Sequence, residues 1–235
     1  MNTSAPLRNP LCVALDVDSR EEAIRLARDL YDIVGGFKIG PRLSMRYGEA
    51  IVRELSALAP VFVDNKYFDI PSTMTAAIRA TFAAGASLAT VHALAGKEAL
   101  CELSRLEAEL NAIRPFRILA VTLLTSWDES SYPPPLEKRA PIEHVKSLAQ
   151  LCADSGIKGV VCSAQELKEL GSHGLWLITP GIRFDLEPHD DQRRVMGPKE
   201  AMAAGASAIV VGRPIIRARN PREVAADYAM AVFGK

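Results

Sequence analysis

The sequence predicts an α/β protein built as a single (β/α)8 barrel, and three observations lead there. Short β-rich runs recur eight times along the chain, separated by stretches with helical patterning. Strands that alternate with helices pair in parallel through crossover connections, and eight such units suit a closed barrel. The turn after the first strand reads Asp16-Val17-Asp18-Ser19, whereas an open doubly wound sheet, the alternative, announces itself there with a glycine-rich turn. A length of 235 residues suits one domain spanning residues 1–235, with residues 1–10 as an N-terminal extension.

The elements follow in order. The first strand is Leu11–Leu15. Ser19-Arg20-Glu21-Glu22 then fits a capping box, in which the serine caps a helix and the glutamate three residues on reaches back. Arg20–Leu30 places Ala23, Ile24, Ala27 and Leu30 on one helical face. Gly36–Ile39 is the second strand and Val61–Lys66 the third, after which Pro71 opens a helix. The remaining strands are Leu88–His92, Arg117–Leu123, Gly159–Cys162, Leu175–Ile178 and Ala208–Val211, with a second capping box at Ser163-Ala164-Gln165-Glu166. Ala84-Gly85-Ala86-Ser87 precedes the fourth strand and Ala204-Gly205-Ala206-Ser207 the eighth. In each, the glycine suits the position just past a helix end, and the echo fits two half-barrels.

Composition narrows the function classes. Lys+Arg and Asp+Glu both number 28, so net charge gives no sign of nucleic acid or an anionic membrane as partner. No apolar run approaches the ~18 residues that cross a bilayer. The polar start, with Pro6 and Pro10, lacks the apolar core of a signal peptide, and the expected location is the cytoplasm. Cys12, Cys101, Cys152 and Cys162 form no C-x-x-C pair and are expected to be free thiols, mostly buried. No zinc-binding spacing occurs, so no metal site is expected.

Chemistry concentrates at the strand ends, where barrels of this class place their sites. The third strand runs into Asp64-Asn65-Lys66-Tyr67-Phe68-Asp69. Alternation puts Phe62, Asp64 and Lys66 on the inner face, with Val63 and Asn65 outside. Opposite charges on the inner face of an apolar strand are expensive unless they compensate each other or serve chemistry. Asp16 after the first strand and Lys38 in the second converge on the same mouth, which makes a structural ion pair alone the weaker reading. A phosphate site is expected where Thr179-Pro180-Gly181-Ile182-Arg183 follows the seventh strand and Gly212-Arg213-Pro214-Ile215 the eighth. The glycines allow close backbone approach and each arginine offers a planar fork. The polar loop 184–198 suits a lid and the proline-rich loop 127–141 a semi-rigid cover. His92 reads as structural, its ring nitrogens satisfied by a neighbouring carboxylate.

Four segments together resemble the bacterial-type orotidine 5′-monophosphate decarboxylase family. They are Asp64-x-Lys66-x-x-Asp69-Ile70-Pro71-x-Thr73, Thr179–Arg183, Asp191-Gln192-Arg193-Arg194-Val195-Met196 and Val211-Gly212-Arg213-Pro214-Ile215. The match runs in order from about residue 11 to about residue 220. It implies loss of carbon dioxide from carbon 6 of orotidine 5′-monophosphate, giving UMP without a cofactor, the last step of de novo pyrimidine synthesis. It also implies a homodimer with shared active sites. By this resemblance Lys38, Asp64 and Lys66 form the catalytic array with Asp69 of the partner subunit, and Lys66 protonates carbon 6. Asp16 binds ribose, Thr73 reaches the neighbouring site, and Thr125 and Ser126 face the pyrimidine. Arg183, Gln192, Gly212 and Arg213 hold the phosphate, with Pro180 also against the substrate. Asn65, Phe68 and Ser72 depart from the family pattern, and Asn65 on the helix-facing side needs polar partners. Two alternatives stand beside this reading: a Mg²⁺-dependent keto-sugar-phosphate decarboxylase of the same superfamily, and a non-catalytic barrel that binds phosphorylated ligands.

Overall fold

The computed structural model describes residues 6–124, 127, 132–133, 139–184 and 196–233. Its strands are β1 (Leu11–Ala14), β2 (Gly36–Ile39), β3 (Val61–Tyr67), β4 (Leu88–His92), β5 (Arg117–Val121), β6 (Gly159–Val161), β7 (Trp176–Thr179) and β8 (Ala208–Val211). They pair in parallel in sequence order, and β8 returns to β1 through Leu11↔Ile209, Cys12↔Val210 and Val13↔Val211. The (β/α)8 barrel is therefore closed. The expected Arg117–Leu123 strand stops at Val121, because its last partner in the short β6 is Val161. The seventh strand sits one residue later than the Leu175–Ile178 expected, a normal scatter at element ends.

Helices α1 (Arg20–Leu30), α2 (Pro41–Ser56), α3 (Pro71–Ala83), α4 (Gly96–Asn111), α5 (Pro141–Asp154), α6 (Leu167–Leu170), α7 (Pro198–Ala203), α8 (Arg213–Ile216) and α9 (Pro221–Phe233) surround the barrel. The local signals act as expected, with one exception. Ser163 and Glu166 make both halves of a capping box, whereas Ser19 accepts from the Glu22 N–H and the exposed Glu22 carboxylate makes no recorded return bond. Gly85 and Gly205 both take left-handed backbone, with φ of 109° and 108°. After each, the chain closes the same pair of bonds: Gly85 to Phe82 and Ala86 to Thr81, Gly205 to Met202 and Ala206 to Ala201. This is a helix end that satisfies two orphan carbonyls, and it occurs at both members of the internal echo.

Strand alternation divides the core in two. Leu11, Val13, Phe37, Ile39, Val61 and Val63 face the helices, while Cys12, Ala14, Phe62, Leu88, Leu119 and Val210 fill the barrel. Leu7 joins the inner cluster from the N-terminal extension. Bonds from Arg8 N–H to the Gly35 carbonyl (3.0 Å) and from Asn9 Nδ2 to the Ile33 carbonyl (2.9 Å) hold that stretch across the barrel floor. An apolar floor leaves the opposite mouth, at the carboxyl ends of the strands, to the charged residues.

Candidate active site

A pocket of about 220 Å³ opens at that mouth. Its floor is apolar: Ala14, Phe62, Val121, Val161 and Val210, small or β-branched except for Phe62. Its rim carries Asp16, Lys38, Asp64 and Lys66, together with Pro180, Arg183, Gly212 and Arg213 from the segments after β7 and β8.

The charged side is a chain of alternating sign. Lys38 Nζ lies 3.3 Å from Asp16 Oδ1 and 3.6 Å from Asp64 Oδ2, and Lys66 Nζ donates to Asp64 Oδ1 at 2.9 Å. Burial opposes both charges of the central pair, and neighbouring charges outweigh it. The Lys38 ammonium is desolvated, yet the Asp64 and Asp16 carboxylates raise its pKa above the ordinary lysine value. Asp64 is desolvated too, yet Lys38, Lys66 and hydrogen bonds from Lys66 and Thr90 hold its carboxyl below the ordinary aspartate value. Both groups are therefore charged across the neutral range.

The backbone that presents this array is irregular. Val63 pairs with Ala89 and Tyr67 with Val91, so a single residue of β4, Thr90, faces the three-residue segment Asp64-Asn65-Lys66. In this bulge Lys66 has φ of 50°, the one non-glycine positive φ among the described residues. Thr90 is fully buried; its Oγ1 accepts from the Lys66 N–H at 2.8 Å and donates to Asp64 Oδ1 at 3.0 Å. Sequence reasoning missed Thr90. Alternation in Leu88–His92 places it inside the barrel, but a threonine in an apolar strand draws no notice unless its neighbours are known.

Asn65 does face the helix layer, and it finds partners there. Its Oδ1 accepts from Ser44 Oγ at 2.7 Å and its Nδ2 donates to Tyr67 Oη at 3.1 Å, while Tyr67 Oη bonds Thr81 Oγ1 at 2.7 Å. His92 is structural in a different way from that expected. Its Nδ1 accepts from the Leu94 N–H at 3.3 Å and its ring packs 5.5 Å from that of Phe68, and among the described residues no carboxylate bonds it. Burial and the Lys66 charge hold its pKa below the ordinary histidine value, so the ring is neutral near pH 7.

In the segment after β7, Gly181 has φ of 77°, a conformation that side chains resist, and it turns the chain toward the buried Arg183. The Arg183 N–H bonds the Met196 carbonyl at 3.1 Å, tying this turn to the far end of the loop 184–198. Gly212 sits at the start of the short helix α8, where an added Cβ would lie 3.7 Å from Asp16 Oδ2. Segments after the seventh and eighth strands, the second opening the short helix α8, thus line one pocket.

Asp69 and Thr73 do not enter this pocket. Both are exposed and line a separate shallow depression with Asn65–Phe68, Met74 and Ala77. Lys66 borders both sites. Thr125, Ser126, Gln192 and the rest of 185–195 lie outside the described residues, as does most of the expected cover 127–141. Three of the four cysteines, Cys12, Cys152 and Cys162, are buried free thiols whose burial pushes them up to about 12. No described helix is long and apolar enough to cross a membrane, and no group of three or more potential metal ligands occurs among the described residues.

Comparison with known proteins supplies an independent line. The family model described as orotidine 5′-phosphate decarboxylase / HUMPS family matches residues 9–228. The orotidine 5′-phosphate decarboxylase of Rhodospirillum rubrum is 38% identical over 236 residues, covering 97% of this chain and 95% of the relative. That of Parasynechococcus marenigrum is 42% identical over 232 residues, covering 95% and 94%. The crystal structure of orotidine 5′-phosphate decarboxylase from Lactobacillus acidophilus superposes with a TM-score of 0.82 at 30% identity, covering 95% of this chain and 99% of that one.

Proposed function

This chain belongs to the orotidine 5′-phosphate decarboxylase / HUMPS family, and from that premise we propose that it converts orotidine 5′-monophosphate to UMP without a cofactor. The observation that carries this reading is the Asp16–Lys38–Asp64–Lys66 chain of alternating charge lining one pocket together with Arg183, Gly212 and Arg213.

The chemistry explains why such an array is useful. Breaking the bond between carbon 6 and the carboxylate releases carbon dioxide and leaves an electron pair in an in-plane orbital, which the ring π system does not delocalise. The pair must be stabilised by fixed charges already in place. The Lys66 ammonium meets it, delivers its proton to carbon 6 and becomes a neutral amine that regains a proton from solvent. Asp64 lies against the departing carboxylate and orients Lys66, and Lys38 balances the carboxylates on either side. Arg183, Gln192, Gly212 and Arg213 grip the phosphate, with Pro180 beside them. These contacts lie away from carbon 6, so their binding energy serves to close the loops and position the ring. Asp16 takes the ribose, and Thr125 and Ser126 take the pyrimidine.

The working unit in this proposal is a homodimer, with Asp69 and Thr73 completing the site of the partner subunit. Two features support it. Both residues lie outside their own chain's pocket, and Phe68 and Ile70 beside Asp69 are 60% and 63% exposed, an apolar surface suited to a second copy. A Mg²⁺-dependent sugar-phosphate decarboxylase would need a further carboxylate near β2 or β3. Glu49 and Glu54, further along α2, are paired with Arg53 and Arg20.

Loss of the orotidine 5′-monophosphate absorbance, followed with and without exhaustive chelation, tests the proposal. Equal turnover in both is expected. Turnover that vanished with chelator and returned with Mg²⁺ would assign the chain to the sugar-phosphate branch, and none in either would remove the proposed activity.

A further inference from the structure

We propose that Thr90 is a positioning residue for the decarboxylation, setting the geometry of Asp64 and Lys66 through its one hydroxyl; this rests on the function proposed above. The ladder between β3 and β4 is in register at Val63↔Ala89 and again at Tyr67↔Val91, so Thr90 alone spans the bulge between them. A bulge leaves its extra backbone groups without ladder partners. Here the Lys66 N–H would be one of them, and the Thr90 hydroxyl oxygen takes it at 2.8 Å. The same hydroxyl then has one proton to give, and it gives it to Asp64 Oδ1 at 3.0 Å, the oxygen that also receives Lys66 Nζ at 2.9 Å.

The consequence is a closed ring of contacts. Lys66 is held at its backbone by Thr90 and at its ammonium by Asp64, and Asp64 is held by both. Left-handed backbone at a lysine is disfavoured, and a conformation of this kind persists only where its surroundings enforce it. Thr90 is the inner enforcement. The Ser44–Asn65–Tyr67–Thr81 contacts hold the same bulge from the helix side. Threonine meets the need at a fully buried position because its methyl packs in an apolar strand while its hydroxyl both accepts and donates. Thr90 does not line the pocket, so its influence on the substrate runs through Asp64 and Lys66.

Thr90→Val keeps the shape and removes both bonds. It is expected to lower kcat by about ten- to a hundredfold, a loss equivalent to one or two interactions misplaced at the transition state. KM should stay within about threefold, because the phosphate and ribose contacts lie elsewhere. Thr90→Ser restores the hydroxyl and should bring kcat back to within about threefold of wild type, which a merely space-filling role would not do. A Thr90→Val enzyme with wild-type kcat, or a serine variant no better than valine, would overturn the inference. Should Thr90→Val fail to accumulate as folded protein, Thr90→Ala against Thr90→Ser carries the same comparison, and equal kcat in that pair overturns it. Hydrogen exchange of the Lys66 amide in the same variants reads the contact without activity. It should be slow in wild type and Thr90→Ser and fast when the hydroxyl is gone, and equal rates would refute the clamp. A wild-type enzyme inactive on orotidine 5′-monophosphate counts against the function alone, and the exchange rates still decide Thr90.

Discussion

Lys66 combines three properties that seldom meet in one residue: left-handed backbone, an ammonium held by a half-buried carboxylate, and a place on the rim of the pocket. Its partner Asp64 would be costly to ionise in this setting, since burial alone raises a carboxyl pKa. Two lysines and a threonine reverse that balance and hold it charged. The array is therefore set before substrate arrives, which is the condition under which fixed charge lowers a barrier most. In the proposed reaction, replacing Lys66 by alanine would remove both the proton donor and the charge set against carbon 6. We expect kcat to fall by about three orders of magnitude or more, with the fold intact and the phosphate grip preserved. Steady-state kinetics and circular dichroism check this, and a Lys66→Ala enzyme within about tenfold of wild type would mean that the proton comes from elsewhere.

The two helix ends at Gly85 and Gly205 share one geometry and differ in their surroundings. A Cβ at Gly205 meets nothing within 4 Å, whereas one at Gly85 would come within 2.6 Å of Ser56 Oγ. Alanine in left-handed backbone costs about 1–2 kcal/mol at either place, so Gly205→Ala should lose about that much. Gly85→Ala should lose more, because Ser56 must also move. Urea denaturation measures both, and a Gly85→Ala no less stable than Gly205→Ala would contradict the comparison. These ends were legible in the sequence because a glycine before a strand is a local signal, as are the capping serines and the alternation that placed Asn65 outside. The bulge was not. Asp64-Asn65-Lys66 reads as regular alternation, and only the pairing of β3 against β4 shows that Thr90 faces three residues at once. The partner of His92 was misjudged for a related reason: a backbone N–H two residues on serves the ring as well as a distant carboxylate, and strand sequence does not distinguish them.

At the scale of the whole molecule, the barrel separates stability from chemistry along its axis. Leu7 and the inner apolar residues close the amino end, and the charged chain and the loops after β7 and β8 occupy the other. The pocket of one chain nonetheless holds only part of the proposed array, because Asp69 and Thr73 lie on an outer face beside exposed Phe68 and Ile70. In the proposed dimer a second copy brought to that face would supply what is missing, and every site would draw on two chains. Mixing Asp69→Ala protein with Lys66→Ala protein, each inactive alone, tests this most directly. In a mixed dimer one site receives both lesions and the other neither, so random exchange should restore about a quarter of wild-type orotidine 5′-monophosphate decarboxylation. Subunit exchange verified by mass with no recovered turnover would contradict the account.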